Sequence, residues 1–383
     1  MKRGEIMEII KSFKIRIYPN EQQKVLIEKH FGCCRFIYNY MLNLQNETYE
    51  LKNEHLSYFD MNRLLKSLKK QEDYNWLSDV SCTSLQIKCF DLDKAFQGFF
   101  SKRKKYPRFK KKVDKLQTYP VCAGRFYLKC SKYLKIQKLG LVKYKTDYEL
   151  PIGRDVKFIN VRLTRVIDKY YVSFSLKCEN QTEELNDYSV GIDLGIKKLA
   201  VVSYNGNSKV YTNINKSSKV RELEKDIKHI SKSISRKYEH NDYTKTNNIK
   251  KLELQLFKKH RKLSNIRDNY IHQITNEIIK LKPKRVVMED LNVSGMMKNR
   301  HLAKAVSDGN FYKFISYMKY KCEWNRIEFI QVDRFYPSSK TCSKCGTIKK
   351  DLKLSNRLFT CQKCSYQIDR DLNAAINLEN YIN

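Results

Sequence analysis

Apolar and polar residues alternate up to Tyr18, with Phe13, Ile15 and Ile17 on one side and Lys14, Arg16 and Tyr18 on the other. That is the period of a half-buried strand over 9–18. Pro19 ends it. Asn20, followed three residues on by Gln23, has the spacing of a capping box, and apolar positions carry the helix it opens to about Leu44. A second helix is predicted near 60–70. A third is predicted over 82–101, where Leu85, Cys89, Leu92, Phe96 and Phe99 recur at spacings of four and three. From 125 to 178 the pattern is all-β, through FYLKC, YLKIQK, LVKYK, KFINVRLTRVI and YYVSFSL, with Asp168-Lys169 read as a hairpin turn. A strand, then helices, then a run of strands predicts a small barrel into which a helical domain is inserted.

After Asp187 the pattern changes. SVGIDLGIKKLAVVSY predicts a fully apolar short strand, a turn and a second strand, and KVYTN a third. Residues 217–281 hold no proline. Val220, Leu223, Ile227, Ile230 and Ile234, then Leu252, Leu256, Leu263, Ile266, Tyr270 and Ile274, mark two long helices joined near 239–247 as an antiparallel hairpin. Pro283 stops the second. RVVME at 285–289 is a strand with an acid at its end, and a helix at 311–325 precedes the strand EFIQV at 328–332.

At 383 residues and 41% apolar content the chain can bury two or three domain cores. It carries 76 Lys and Arg against 41 Asp and Glu, a formal charge of +35, which would draw it to polyanions and first of all to nucleic acid. The excess is localised: residues 1–100 have 15 basic and 13 acidic side chains, 101–150 have 16 and 3, and 201–350 have 33 and 14. A uniform compositional bias would not leave the first hundred residues near neutral. The segment SKRKKYPRFKKK concentrates eight basic residues, Lys102, Arg103, Lys104, Lys105, Arg108, Lys110, Lys111 and Lys112, around Tyr106 and Phe109. Lysines that neutralise phosphates beside rings that stack on bases make it a candidate nucleic-acid contact.

The start of the chain is interrupted by charges and no run approaches the roughly 18 apolar residues of a membrane span, so the expectation is a cytoplasmic, reducing setting without membrane contact. Eight cysteines (Cys33, Cys34, Cys82, Cys89, Cys122, Cys130, Cys178, Cys322) read there as small buried hydrophobes. The other four, Cys342-x2-Cys345 and Cys361-x2-Cys364 fifteen residues apart, read as a zinc ribbon. Each pair can place two thiolates on one ion through a tight turn, with Gly346 suiting the backbone and Lys344 and Lys363 offsetting charge. A closed four-thiolate site is structural rather than catalytic.

Three acids have matching contexts. Asp193 follows the strand VGI, Glu289 ends the strand RVVM, and Asp371 lies in DRDLNAAINL at the start of an Ala-rich helix. Two strand ends and a helix start can gather three carboxylates only if something electropositive offsets their repulsion, as divalent metal ions do. Two Mg2+ would serve phosphodiester cleavage. Singly, each acid can be a turn, strand-end or capping residue. Together, in this order, they match an RNase H-like nuclease. Asp369 is read as supporting, because Asp371-x-Asn373 puts acid and amide near one face.

The stretches KSFKIRIYPNEQQKVLIEKHFGCCRFIYNYML, VGIDLGIKKLAVVSYNG, VVMEDLNVSGM and SSKTCSKCGTIKKDLKLSNRLFTCQKCSYQIDRDLNAAINL, spread nearly end to end, resemble the OrfB/TnpB family encoded by bacterial insertion sequences, compact RNA-guided DNA endonucleases similar to type V CRISPR effectors. The resemblance implies an α+β multidomain protein: a wedge-like β-barrel (1–19 and 113–186), an inserted helical recognition domain (20–112), a RuvC-type nuclease domain (187–336 and 366–383) and the zinc ribbon (337–365) as a target-strand-loading element. Asp193, Glu289 and Asp371 would be the RuvC acids holding two Mg2+, and the ribbon one Zn2+. The implied partners are a guide RNA from the transposon end and double-stranded target DNA, with self-association on the RNA left open and a bacterial, nucleoid-associated location. A motif flanking the target would be read by the N-terminal region, with Tyr18, Asn20, Tyr38, Asn39 and Tyr58 as candidates. Alternatives are a nuclease-dead repressor, disfavoured by the complete trio, a strand-transferring transposase, and an actin-like ATPase suggested by GIDLG, for which no second glycine-rich loop exists.

Overall fold

The structure, a computed structural model, describes residues 6–112, 116–181, 183–352 and 356–382. Residues 1–5, 113–115 and 182 of the expected barrel segments, 353–355 of the expected ribbon, and 383 lie outside the described residues. The described residues divide into two compact units, Glu8–Cys178 and a second formed by Ile6–Met7 with the part from Glu179 onward. Among the described residues no helix is long and apolar enough to cross a membrane.

The first unit opens within β1 (Ile6–Tyr18), whose Ile15 and Ile17 are buried as the alternation requires. Helix α1 (Glu21–Lys52) follows with both halves of the Asn20–Gln23 capping box formed, and it continues past Leu44 to a left-handed Asn53. Helices α2 (Tyr58–Leu68) and α3 (Cys82–Phe100) come next. The strands β2 (Leu116–Pro120), β3 (Tyr127–Leu128), β4 (Tyr133–Ile136), β5 (Gly140–Lys145), β6 (Phe158–Val166) and β7 (Lys169–Gln181) join β1 in one sheet, ordered β2-β6-β7-β1-β5-β4-β3. Helices and sheet share a core in which Ile27, Phe31 and Ile37 of α1 meet Leu85 and Leu92 of α3 and Tyr119, Leu163 and Phe174 of the sheet.

Two expectations are corrected here. The β6–β7 turn is Ile167-Asp168, one residue earlier than read, because Val166 pairs with Lys169; Ile167 takes φ 61° to close it. Of the eight scattered cysteines, Cys33, Cys34, Cys89 and Cys322 are buried, Cys122 and Cys178 are partly buried, and Cys82 and Cys130 are exposed. Cys82 opens the first turn of α3 and Cys130 lies in the bend between β3 and β4, where the local apolar pattern says nothing of burial.

The second unit has β8 (Asn186–Leu194), β9 (Lys198–Tyr204), β10 (Asn207–Thr212), the hairpin α4 (Ser218–His240) and α5 (Asn247–Lys280), and β11 (Pro283–Glu289). Short helices α6 (Val293–Lys298) and α7 (Ala303–Gly309), not foreseen from the pattern, lead to α8 (Phe311–Trp324) and β12 (Glu328–Val332). A two-stranded piece, β13 (Leu358–Thr360) with β14 (Gln367–Asp369), precedes α9 (Arg370–Glu379). The five-stranded sheet runs β10-β9-β8-β11-β12, antiparallel across β10, β9 and β8, with β11 parallel to both β8 and β12.

Period-2 alternation divides this sheet's residues between two faces. Val190, Ile192, Val286 and Met288 pack with Ile271, Ile274 and Ile278 of α5 and Phe314, Met318 and Cys322 of α8. On the other face Val287 packs with Leu378 of α9. Gly191 belongs to that face and lets α9 come close: a Cβ there would sit 2.1 Å from the Ala375 carbonyl oxygen. Only a residue without a side chain permits this approach.

Candidate functional site

In the parallel β8–β11 pair Met288 lies opposite Ile192, so the next residues lie side by side, Glu289 as the last of β11 and Asp193 as the last but one of β8. Ligands of open sheets bind at such carboxyl ends. Asp371 lies in the first turn of α9, the helix over that face. The partly buried Asp193 carboxyl is pushed well above the usual carboxylate range, first by burial, then by the charges of Glu289 and Asp371, with Arg370 opposing and Asp369 adding to the shift. The structure therefore brings the three predicted acids into one electrostatic neighbourhood. They are not drawn together as a set of ligand atoms, and the four cysteines are the group of that kind among the described residues.

Asp369 is engaged elsewhere. Its Oδ1 accepts the N–H groups of Asp371 (3.0 Å) and Leu372 (3.1 Å) as the N-cap of α9, and its Oδ2 pairs with Lys198 Nζ at 2.7 Å. Burial works against its charge, but Lys198 and these N–H groups outweigh it and hold the carboxyl below its ordinary value. Asp371 lies 3.8 Å from the Arg357 guanidinium. The expectation that Asn373 shares a face with Asp371 is corrected: residues two apart on a helix point about 200° apart. Asn373 is fully buried and accepts the Ser343 N–H at 3.0 Å while donating to the Thr341 carbonyl at 2.7 Å.

All four ribbon sulfurs lie within 4.8 Å of one another, with Cys342 3.7 Å from Cys364 and Cys345 3.5 Å from Cys361. The first knuckle closes through Gly346 N–H to the Cys342 carbonyl at 2.9 Å, and Gly346 takes φ +72°. Ser365 holds a left-handed φ of 53° after Cys364 in the second knuckle. Thr347, bonded to the sulfur, pulls the Cys345 thiol down to about 6, toward the thiolate a metal requires. Four thiolates in this arrangement suit one zinc ion. Lys344 sits over the Tyr366 ring at 5.8 Å, beside the cluster.

All eight basic residues of 101–112 are exposed. The segment is strapped to α1: Asn39 accepts the Lys110 N–H at 2.7 Å and donates to the Lys110 carbonyl at 3.0 Å, and the Tyr106 hydroxyl donates to Asn46 at 2.6 Å. Tyr106 stands edge-on to Phe96 and Phe99 and is less free to stack than its sequence suggests; Phe109 is about half exposed. Among the flank-reading candidates, Asn20 serves as the α1 cap, Asn39 as this strap, and Tyr38 is buried. Tyr18 is exposed with Arg16 over its ring, and Tyr58 packs edge-on to Phe90.

Sequence reasoning passed over Gly191, Asn377 and Ser338. An isolated glycine inside an apolar strand signals a close backbone approach, and amides four apart in an Ala-rich helix signal a buried polar seam; both signs were present. Nothing in the sequence marks Ser338.

Three family models match the chain: a "Helix-turn-helix domain" of the IS605 OrfB group over residues 7–54, the "Probable transposase" model of the same group over 172–300, and a "Cas12f1-like, TNB domain" over 311–378. A "Putative RNA-guided DNA endonuclease" of Streptomyces pristinaespiralis is 29% identical over 375 residues, covering 97% of this chain and 89% of that protein. The "Putative RNA-guided DNA endonuclease InsQ" of Escherichia coli K12 is 29% identical over 389 residues, covering 97% and 92%. A solved Cas12f1–sgRNA–target DNA complex has the same fold, with a TM-score of 0.55 at 15% identity over 97% of this chain and 99% of that one. Over nearly its whole length the chain is thus similar to OrfB/TnpB-type insertion-sequence proteins, and in its C-terminal part to Cas12f.

Proposed function

We propose that this protein is an RNA-guided DNA endonuclease that cuts target DNA at the site formed by Asp193, Glu289 and Asp371. The observation that carries the reading is that Asp193 and Glu289 lie side by side at the ends of two parallel strands, where burial and the charges of Glu289 and Asp371 raise the Asp193 carboxyl above its ordinary range. The strand order β10-β9-β8-β11-β12 supports the RuvC assignment, because it sets the first acid's strand at the middle of the sheet and the second acid's strand next to it. The domain boundaries and the wedge-like barrel read from the sequence belong to the same proposal.

The electrostatics around Asp193 support a bound divalent cation. A partly buried carboxyl that resists ionisation next to two others is a group whose charge a cation would restore. Two Mg2+ at such a site supply the charge that activates water and stabilises the leaving oxygen. The chain's own part is positional: β8 and β11 hold two carboxylates at fixed separation, and α9 brings the third across Gly191. Lys198 keeps Asp369 on the helix cap and out of that trio. The exposed lysines and arginines of 101–112 would hold phosphates, leaving base pairing with the guide to read sequence.

The test is to purify the protein from cells that carry its insertion sequence, sequence the bound RNA, and challenge the complex with DNA matching the RNA's variable end. Cutting is expected only with Mg2+ and only of matching DNA. RNA-independent cutting or strand joining would support the transposase reading instead, and stable target binding without any cutting would support the repressor.

A further inference from the structure

Ser338 stands four residues before Cys342 and is 1% exposed. Its hydroxyl donates to Glu289 Oε1. Its carbonyl accepts from Asn377 Nδ2 at 2.7 Å, and the same amide donates to the Thr341 carbonyl at 2.6 Å. One turn earlier on α9, Asn373 holds Thr341 and Ser343. The first cysteine knuckle is thus fastened by two buried amides to the helix that carries Asp371, and the residue at its foot holds the carboxylate of Glu289. A serine hydroxyl has one proton to donate, and here that proton goes to the acid.

We propose that Ser338 is a positioning residue for the cleavage reaction: it fixes the orientation of the Glu289 carboxylate and makes that orientation depend on a folded ribbon. The inference rests on the catalytic role proposed for Glu289. A carboxylate on a strand end can rotate about its side-chain bonds, and the loss of a hydrogen bond that fixes a metal-binding carboxylate costs about 10–100-fold in metal affinity or activity. The hydroxyl is itself held, because Asn377 pins the Ser338 backbone and burial excludes competing water. The ribbon then has a task at the acids besides any contact with DNA.

The experiment compares wild type, Ser338→Ala, Ser338→Thr and Glu289→Gln as full-length RNA complexes on a matched target, reading single-turnover cleavage, half-saturating Mg2+, target affinity and zinc content. Ser338→Ala should keep its zinc, guide RNA and target affinity while cleavage falls about 10–100-fold and the Mg2+ requirement rises. Ser338→Thr, which restores the hydroxyl, should recover most of the rate. Three results would overturn the inference: Ser338→Ala cutting at the wild-type rate, Ser338→Thr as slow as Ser338→Ala, or loss of zinc and RNA affinity in step with cleavage. Glu289→Gln separates the layers. If it is inactive while Ser338→Ala is fully active, only this inference fails; if it is active, the role of Glu289 fails and this inference with it.

Discussion

Replacing Gly191 by alanine tests how α9 delivers Asp371 to the strand ends. The added Cβ would lie 2.1 Å from the Ala375 carbonyl oxygen, 2.3 Å from the Glu379 amide nitrogen and 2.9 Å from the Glu379 Cα. All three are backbone atoms of a packed helix, so no flexible side chain can swing away. Carbon and its neighbours rest at about 3.5 Å, so α9 must retreat by about 1.4 Å. Overpacking of this kind costs about 1–3 kcal/mol. At about 2–4 °C per kcal/mol for a unit of this size, the second unit should melt about 2–12 °C lower. A displacement of about 1 Å between reacting groups costs on the order of 100-fold in rate, so cleavage should fall further than stability does. The assay is scanning calorimetry of the RNA complex beside single-turnover cleavage, with Gly124→Ala as control, since a Cβ at Gly124 meets nothing within 4 Å. A Gly191→Ala protein that melts and cuts like its parent would refute this placement of α9.

Metal-free Asp193→Asn should be more stable than its parent at pH 8. The folded carboxyl sits well above its ordinary value, so ionisation weighs against the fold as pH rises through that raised value. The advantage should close toward pH 4, and Mg2+ should raise the parent's melting temperature more; equal melting at pH 8 would contradict this. Cys361→Ser should lower the zinc content found by elemental analysis from about one per chain to none and abolish cleavage; a zinc-free protein that still cuts would show the ribbon to be dispensable. Changing Lys110, Lys111 and Lys112 to alanine should weaken RNA binding and lower the slope of log affinity against log salt by about 0.7 for each single-strand phosphate these lysines neutralise. An unchanged slope would take this segment off the RNA.

The elements were legible wherever a local pattern determines them. The Asn20–Gln23 box, the apolar run before Asp193 and the paired CxxC motifs each state their structure within a few residues, and the structure has the capped helix, the strand and the four-sulfur cluster. What the sequence did not show depends on residues far apart in the chain meeting. That Asn373 faces the ribbon rather than Asp371 follows from helix geometry plus the place where the knuckle returns. The Ser338–Glu289 bond spans 49 residues and has no local mark. The exposure of Cys82 and Cys130 depends on which neighbours cover them. Even the β6–β7 turn was misplaced by one residue, because strand register and not turn composition set it.

If Asp193 belongs to a cleavage site served by a bound RNA, its loss must stop cutting without releasing the RNA. The most direct measurement is cleavage by Asp193→Ala, purified with its RNA, of a matched target in Mg2+, beside its affinity for RNA and target. Both affinities should stay within about twofold of wild type while cleavage falls by about 1,000-fold or more, a loss of about 4 kcal/mol of transition-state stabilisation. Retained cutting by Asp193→Ala would contradict this role for Asp193.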